Sequence, residues 1–232
     1  MNRLFEDFFP PHVSVYITSR EIDFKLEDTS IPFSRAQKLY WNAQDLPSNI
    51  AQIHQVHGDR IVCVDDYQSC QHGILADADG LVSQLNKCVL AVRTADCLSV
   101  FFYDMKRDVI GVCHAGWKGT KEQINVKVLN SLKDNFGSNV KDVRVAFGPC
   151  IRTKSYEVGK EFMEHFPQEV KNTDGKFYFD LAGANRRQLL QCGVLADNIT
   201  DCGIDTFADQ NYFSYRKEGQ SAGRILSIIY KN

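Results

Sequence analysis

The sequence predicts an α+β fold: a single domain spanning residues 1–232, with mixed β-sheets flanked by helices in layers. Two observations predict it. Short runs rich in β-branched and aromatic residues crowd the first half of the chain, separated by turn residues. After the run of strands, residues 119–136 switch to the apolar period of a helix. Strands in series followed by helices favour α+β over a doubly wound parallel sheet.

The elements follow in order. Residues 12–18 (HVSVYIT) read as the first strand, and 34–45 as a helix with Leu39 and Trp41 among its apolar positions. Strands are expected at 60–65, 79–83, 88–94, 98–103 and 109–114. Over 119–136, Ile124, Val128, Leu132 and Phe136 recur every four residues, which marks one helix face, and Gly137 is suited to its C-terminal stop. A strand at 143–147, helices at 158–166 and 181–192, and a buried closing strand at 224–230 complete the chain.

Composition narrows the function classes. The hydrophobic fraction is 44% and the charged fraction 24%, as in a globular domain with a full core. A formal net charge of −2, with basic residues scattered along the chain, gives no field for nucleic acid or an anionic membrane. The N-terminus has no signal-peptide core and no window is apolar enough for a membrane helix, so a cytoplasmic protein is expected. Eight cysteines lie in a chain without a secretion signal, several inside apolar runs, and read as free buried thiols. Neither C-x-x-C, G-x-G-x-x-G nor a P-loop occurs.

Reactive side chains concentrate at three strand ends beside glycine or threonine: Gln55–Gly58, Arg93–Cys97 and Cys113–Gly119. His57, Cys97 and His114 are one thiolate and two imidazoles. That donor set suits zinc and leaves a fourth position open for water, as in catalytic sites. Their spacing is long and forms no local motif. The same residues permit a second chemistry, with Cys97 as nucleophile and His114 as its base. Asp96 is placed to orient either arrangement, and His54 reads as a supporting imidazole.

QVHG (55–58), TADCLSVFFYD (94–104) and GVCHAGWKGT (111–120) resemble the three signature segments of the laccase-domain family. That family is described both as multicopper polyphenol oxidase-like and as purine nucleoside phosphorylase. The likeness continues through ADADGLVS, GPCI, YEVG, DLAGANRRQLLQCGV and YFSYRKEGQSAGR, and covers most of residues 35–228. It implies zinc bound by His57, Cys97 and His114, and a fold like that of the deamidase-toxin cysteine hydrolases. Copper is the weaker alternative, because six histidines and three methionines do not furnish a multicopper oxidase.

The implied activity is phosphorolysis of purine nucleosides (adenosine, inosine, guanosine, methylthioadenosine) with adenosine deamination beside it. Purine nucleosides and phosphate are then the partners, and the chain a monomer or small homo-oligomer. A metal-free cysteine hydrolase or amidase, an editing enzyme for cell-wall precursors and a non-catalytic binding protein are the alternatives, with phenol oxidation behind them. In the leading reading Asp96 moves protons and Arg35 contacts phosphate or substrate. Lys118 and the neighbouring glycine amides are further anion contacts, and Phe213, Tyr215 and Trp117 are available to stack the base. Arg216 and Arg224 are assigned to structure or to the rim. The sequence departs from the family over 24–33, at Ser99 and after GPCI, where a second cysteine is missing, so the pocket wall is expected to differ.

Overall fold

The computed structural model describes residues 1–26, 33–71 and 74–232. In chain order it contains β1 (Asn2–Leu4), β2 (Val13–Ile17), α1 (Arg35–Asn42), β3 (Asn49–His54), β4 (Ile61–Val64), β5 (Ile74–Asp77), β6 (Gly80–Ser83), β7 (Cys88–Thr94), β8 (Leu98–Asp104) and β9 (Val109–Ala115). There follow α2 (Trp117–Lys121), α3 (Ile124–Phe136), β10 (Val143–Phe147), β11 (Glu157–Val158), α4 (Phe162–His165), β12 (Val170–Thr173), β13 (Lys176–Phe179), α5 (Leu181–Gln191), β14 (Ile199–Asp201), α6 (Tyr215–Glu218) and β15 (Ile225–Lys231).

Two mixed six-stranded sheets stack face to face, in the orders β1-β2-β15-β7-β3-β5 and β14-β10-β8-β9-β6-β4. A small third sheet has the order β11-β13-β12. The α+β prediction holds, and the central strands show how the layers arise. On β7, Leu90 and Val92 enter the core between the two large sheets with Phe101 and Tyr103 of β8 and Ile110 and Val112 of β9. Val89 and Ala91, on the opposite face of β7, pack with Trp41 of α1. On β8, Leu98, Val100 and Phe102 face Val128 and Leu132 of α3 and Leu189 of α5. The layers are therefore α1, first sheet, second sheet, then α3 and α5. Strands covered on both faces are buried at every position, so β7, β8 and β9 show no polar alternation.

The single helix expected over 119–136 is two. Gln123 adopts a left-handed conformation (φ 59°), separating α2 from α3. Gly137 is the expected left-handed stop, its N–H donating to the carbonyls of Leu132 and Lys133. The helix expected at 158–166 shortens to α4, because Glu157 and Val158 pair with β13 instead. Strands β1, β3, β5, β11, β12, β13 and β14 form where the sequence pattern predicts none. Of the divergent segment 24–33, residues 27–32 lie outside the described residues.

Candidate metal centre and its cavity

Register brings two of the predicted ligands together. β8 and β9 form an antiparallel pair in which Leu98 faces Ala115 and Ser99 faces His114. Cys97, one residue before β8, therefore sits beside the end of β9, because β8 and β9 are joined by a short hairpin turn. β9 also pairs with β6, and β6 with β4, so the β3–β4 connection carrying His57 arrives at the same sheet end. The ligand atoms of His57, Cys97 and His114 all lie within 4.8 Å of one another. The two imidazole rings meet edge to face at 4.7 Å. His114 is buried, Cys97 half-buried and His57 exposed, so the cluster opens to one side.

Asp79 holds this arrangement. It is fully buried immediately before β6. Its Oδ1 accepts from the His57 N–H at 3.0 Å and lies 2.8 Å from Nδ1 of His114. Its Oδ2 accepts from the N–H groups of Gly58 at 2.6 Å and Val56 at 3.2 Å. Three successive amides thus converge on one carboxylate. This compensates the left-handed backbone of His57 (φ 59°), a conformation that costs a non-glycine residue about 1–2 kcal/mol. Burial opposes ionisation of Asp79, but the His114 ring and these amides outweigh it and hold the carboxyl below its ordinary range.

The donor set fits a metal. With Nδ1 of His114 turned to a carboxylate, Nε2 is the nitrogen left for coordination, a common supporting arrangement for histidine ligands. Burial opposes ionisation of Cys97, yet the neighbouring His114 and His57 bring its pKa down to about 6. A thiolate near neutral pH is what a metal requires of cysteine. Gly116 matters here through space rather than backbone: a Cβ on it would stand 2.9 Å from Cys97 Sγ and 3.3 Å from the His57 ring. Gly116→Ala is therefore expected to displace the thiol and weaken metal binding by about 10- to 100-fold, with a stability loss of no more than about 1–3 kcal/mol. A competition titration against a chromogenic chelator checks it, and wild-type affinity would refute the steric reading.

The cluster lies in a cavity of about 690 Å³, within the range of roughly 300–1,000 Å³ usual for small-molecule sites. Trp117, Lys118, Tyr156, Tyr215 and Arg216 are on its wall. Behind it, Asn185 of α5 donates to Thr120 Oγ1 of α2 at 3.0 Å and accepts from Asn125 of α3, fixing the helix that carries Trp117 and Lys118.

Other predicted residues are placed differently. Asp96 stands beside Cys97 with φ 84°, but its carboxylate is committed elsewhere. It accepts from Thr206 Oγ1 at 2.7 Å, Ser214 Oγ at 3.0 Å and the Arg216 N–H at 2.6 Å. These bonds make it an anchor for the loop of Cys97 rather than a free proton carrier. Phe213 is buried between the large sheets, with the Arg20 guanidinium 4.8 Å over its ring. Its neighbour Tyr215 takes the wall position instead, because the chain turns into α6 after Ser214. Arg35 is an exposed first residue of α1 and lies outside the cavity wall as described. His54 borders the cavity with its Nδ1 2.9 Å from Asp77 Oδ1. The sequence does not single out Asp79, although it lies within ADADGLVS (76–83), because an acid just before a strand carries no local sign of its distant partners. No helix among the described residues is long and apolar enough to cross a membrane.

The sequence profile of a family described as multi-copper polyphenol oxidoreductase laccase matches residues 13–232. A Bacteroides thetaiotaomicron protein named purine nucleoside phosphorylase is 36% identical over 172 residues, spanning 70% of this chain and 62% of that protein's length. A Borreliella burgdorferi protein of the same name is 33% identical over 222 residues, spanning 89% of this chain and 93% of the relative. A protein named adenosine deaminase RL5, from an unknown prokaryotic organism, is 31% identical over 192 residues, spanning 76% of this chain and 73% of its own length. Among solved structures, YlmD from Geobacillus stearothermophilus has a TM-score of 0.85 at 23% identity, covering 95% of this chain and 92% of that one, a likeness of fold. On the extent of these matches, the chain belongs to the family described as multi-copper polyphenol oxidoreductase laccase, whose relatives here are named as purine nucleoside enzymes.

Proposed function

We propose that the protein is a zinc-dependent purine nucleoside phosphorylase with adenosine deaminase activity. The observation that carries this reading is the open cluster of His57, Cys97 and His114 in a cavity of nucleoside size. When bound, zinc would supply Lewis acidity, which lets water act as a nucleophile near neutral pH. His57, Cys97 and His114 would hold it, and Asp79 would keep the His114 ring oriented. Trp117, Tyr156 and Tyr215 offer aromatic surface for a purine, and Lys118 brings positive charge to the same wall.

In phosphorolysis the glycosidic bond to the base breaks as phosphate bonds to the ribose carbon, giving free base and ribose 1-phosphate. In deamination water replaces the exocyclic amine of adenosine, giving inosine and ammonia. A panel of adenosine, inosine, guanosine and methylthioadenosine, with and without phosphate, separates the two by product identity. Both activities should disappear in His57→Ala and Cys97→Ala together with bound zinc. Zinc in stoichiometric amount with no turnover of any nucleoside would defeat the proposal.

A second reading is a metal-free cysteine hydrolase using Cys97 and His114. The depressed thiol pKa and the Cys97–His114 contact favour it. It requires activity to persist in His57→Ala and to be lost on alkylation of Cys97.

A further inference from the structure

Five cations line the cavity: Lys25, Arg93, Lys118, Arg216 and Arg224. Several cations away from the cavity meet carboxylates: Arg20 with Glu218, Lys127 with Asp59, Arg152 with Asp201, Arg187 with Glu169 and Lys231 with Asp108. Lys118 and Arg216 line the cavity and make no ion pair among the described residues. Asp96 is the only acid on that wall among the described residues, and its oxygens are already shared by Thr206, Ser214 and the Arg216 amide. A chain of formal charge −2 thus gathers unneutralised positive charge at one opening.

Arg216 is also held in place. Its backbone N–H donates to Asp96 Oδ2, its Nη1 donates to the Glu157 carbonyl at 2.8 Å, and its guanidinium lies 5.3 Å over the Tyr156 ring. Those contacts leave the Nε–Nη2 edge without a protein acceptor among the described residues. That edge is a planar two-donor fork, the geometry that engages two oxygens of one oxyanion. Arg216, Trp117 and Tyr156 border both the cavity and an adjoining slot of about 470 Å³. The Lys118 ammonium lies 5.7 Å over the Trp117 ring and makes no hydrogen bond among the described residues.

We infer that the Nε–Nη2 edge of Arg216, assisted by the Lys118 ammonium, forms a phosphoryl-binding subsite where the cavity meets this slot. The inference deepens the nucleoside phosphorylase reading and rests on it for the expectation that a phosphoryl group arrives here. Inorganic phosphate and the 5′-phosphate of a nucleotide share the required chemistry.

Calorimetric titrations of the zinc-loaded protein with inorganic phosphate, adenosine 5′-monophosphate and adenosine test the subsite. Wild type is compared with Arg216→Gln, Arg216→Lys, Lys118→Gln and the exposed α3 control Lys133→Gln. The affinity for the phosphoryl ligand relative to adenosine should fall about tenfold or more in Arg216→Gln, the scale of a lost hydrogen bond to a charged group. It should fall less in Arg216→Lys, which keeps the charge without the fork, and in Lys118→Gln. Lys133→Gln should match wild type.

Phosphate binding with no preference for the monophosphate over adenosine identifies the free ion as ligand; the reverse identifies the nucleotide. Either supports the subsite. Unchanged relative affinity in both glutamine variants, or a wild type that binds neither phosphoryl ligand, overturns it. If Arg216→Gln proves misfolded by thermal melting, Arg216→Lys and Lys118→Gln decide on the same scale. Phosphate binding lost in the variants while no nucleoside is cleaved would leave the subsite standing and defeat the phosphorylase reading. Phosphorolysis with an unchanged phosphate KM in the variants would do the opposite.

Discussion

Asp79→Ala should lose both metal affinity and much of its stability. The substitution strands the amides of Val56, His57 and Gly58 and frees the His114 ring. Breaking a buried charged network of this kind costs about 3–5 kcal/mol. Removing a carboxylate that orients a metal-bound histidine typically weakens metal affinity by about 10- to 100-fold. Asp79→Asn is the sharper test, because it keeps the shape while placing N–H donors where only acceptors fit. Its carbonyl can serve some of the amides, but its –NH₂ faces another donor. Zinc affinity by chelator competition and Tm with and without zinc measure the outcome. If Asp79→Asn binds zinc as wild type does, Asp79 does not position the centre.

The metal-free protein should show Cys97 alkylated by iodoacetamide along a pH profile with its midpoint near 6. Burial opposes ionisation of both partners. The attraction between them outweighs it, lowering Cys97 to about 6 from an ordinary 9.0 and raising His114 to about 9 from 6.5, with Asp79 assisting the latter. Between about pH 6 and 9 the pair is thus thiolate and imidazolium.

The Cys97 contribution to stability is present above its unfolded pKa and is lost as pH falls through about 6. The His114 contribution is complete below 6.5 and is lost as pH rises through about 9. The two shifts describe one attraction and are counted once. Burial pushes the Cys113 thiol well up, so at pH 7 Cys97 should react at least about tenfold faster. Zinc should suppress that reaction, and its uptake near pH 7.5 should release about one proton, from His114. Mass spectrometry of the alkylated peptides follows the first effect, and a weakly buffered titration the second. An alkylation midpoint near 9 would show that the two side chains are not coupled in this way.

How far the sequence reached depends on the range of the forces involved. The ridge of Ile124, Val128 and Leu132 and the Gly137 stop were legible because helix packing and capping are read within a few residues. The split at Gln123 was not, since no glycine or proline marks that left-handed turn. β12 and β13, VKNT and KFYF, each carry one buried residue among exposed or half-buried ones, and neither has a strict alternation. β7, β8 and β9 were found by their β-branched and aromatic content, yet which face meets which layer was hidden, because both faces are buried.

The centre divides in the same way. By itself the sequence determined the identity of the donors His57, Cys97 and His114, their strand-end positions beside glycine, and the ordered segments that mark the family. Tertiary structure alone decided their convergence, since it depends on the pairing of β8 with β9 and of β6 with both β4 and β9. It also decided that Asp79 serves the centre, that Asp96 is consumed by Thr206, Ser214 and Arg216, and that Tyr215 rather than Phe213 faces the cavity. Donor chemistry is a property of single residues. Hydrogen-bond partnership and exposure are properties of neighbours far apart in the chain, and register fixes those only when the sheets form.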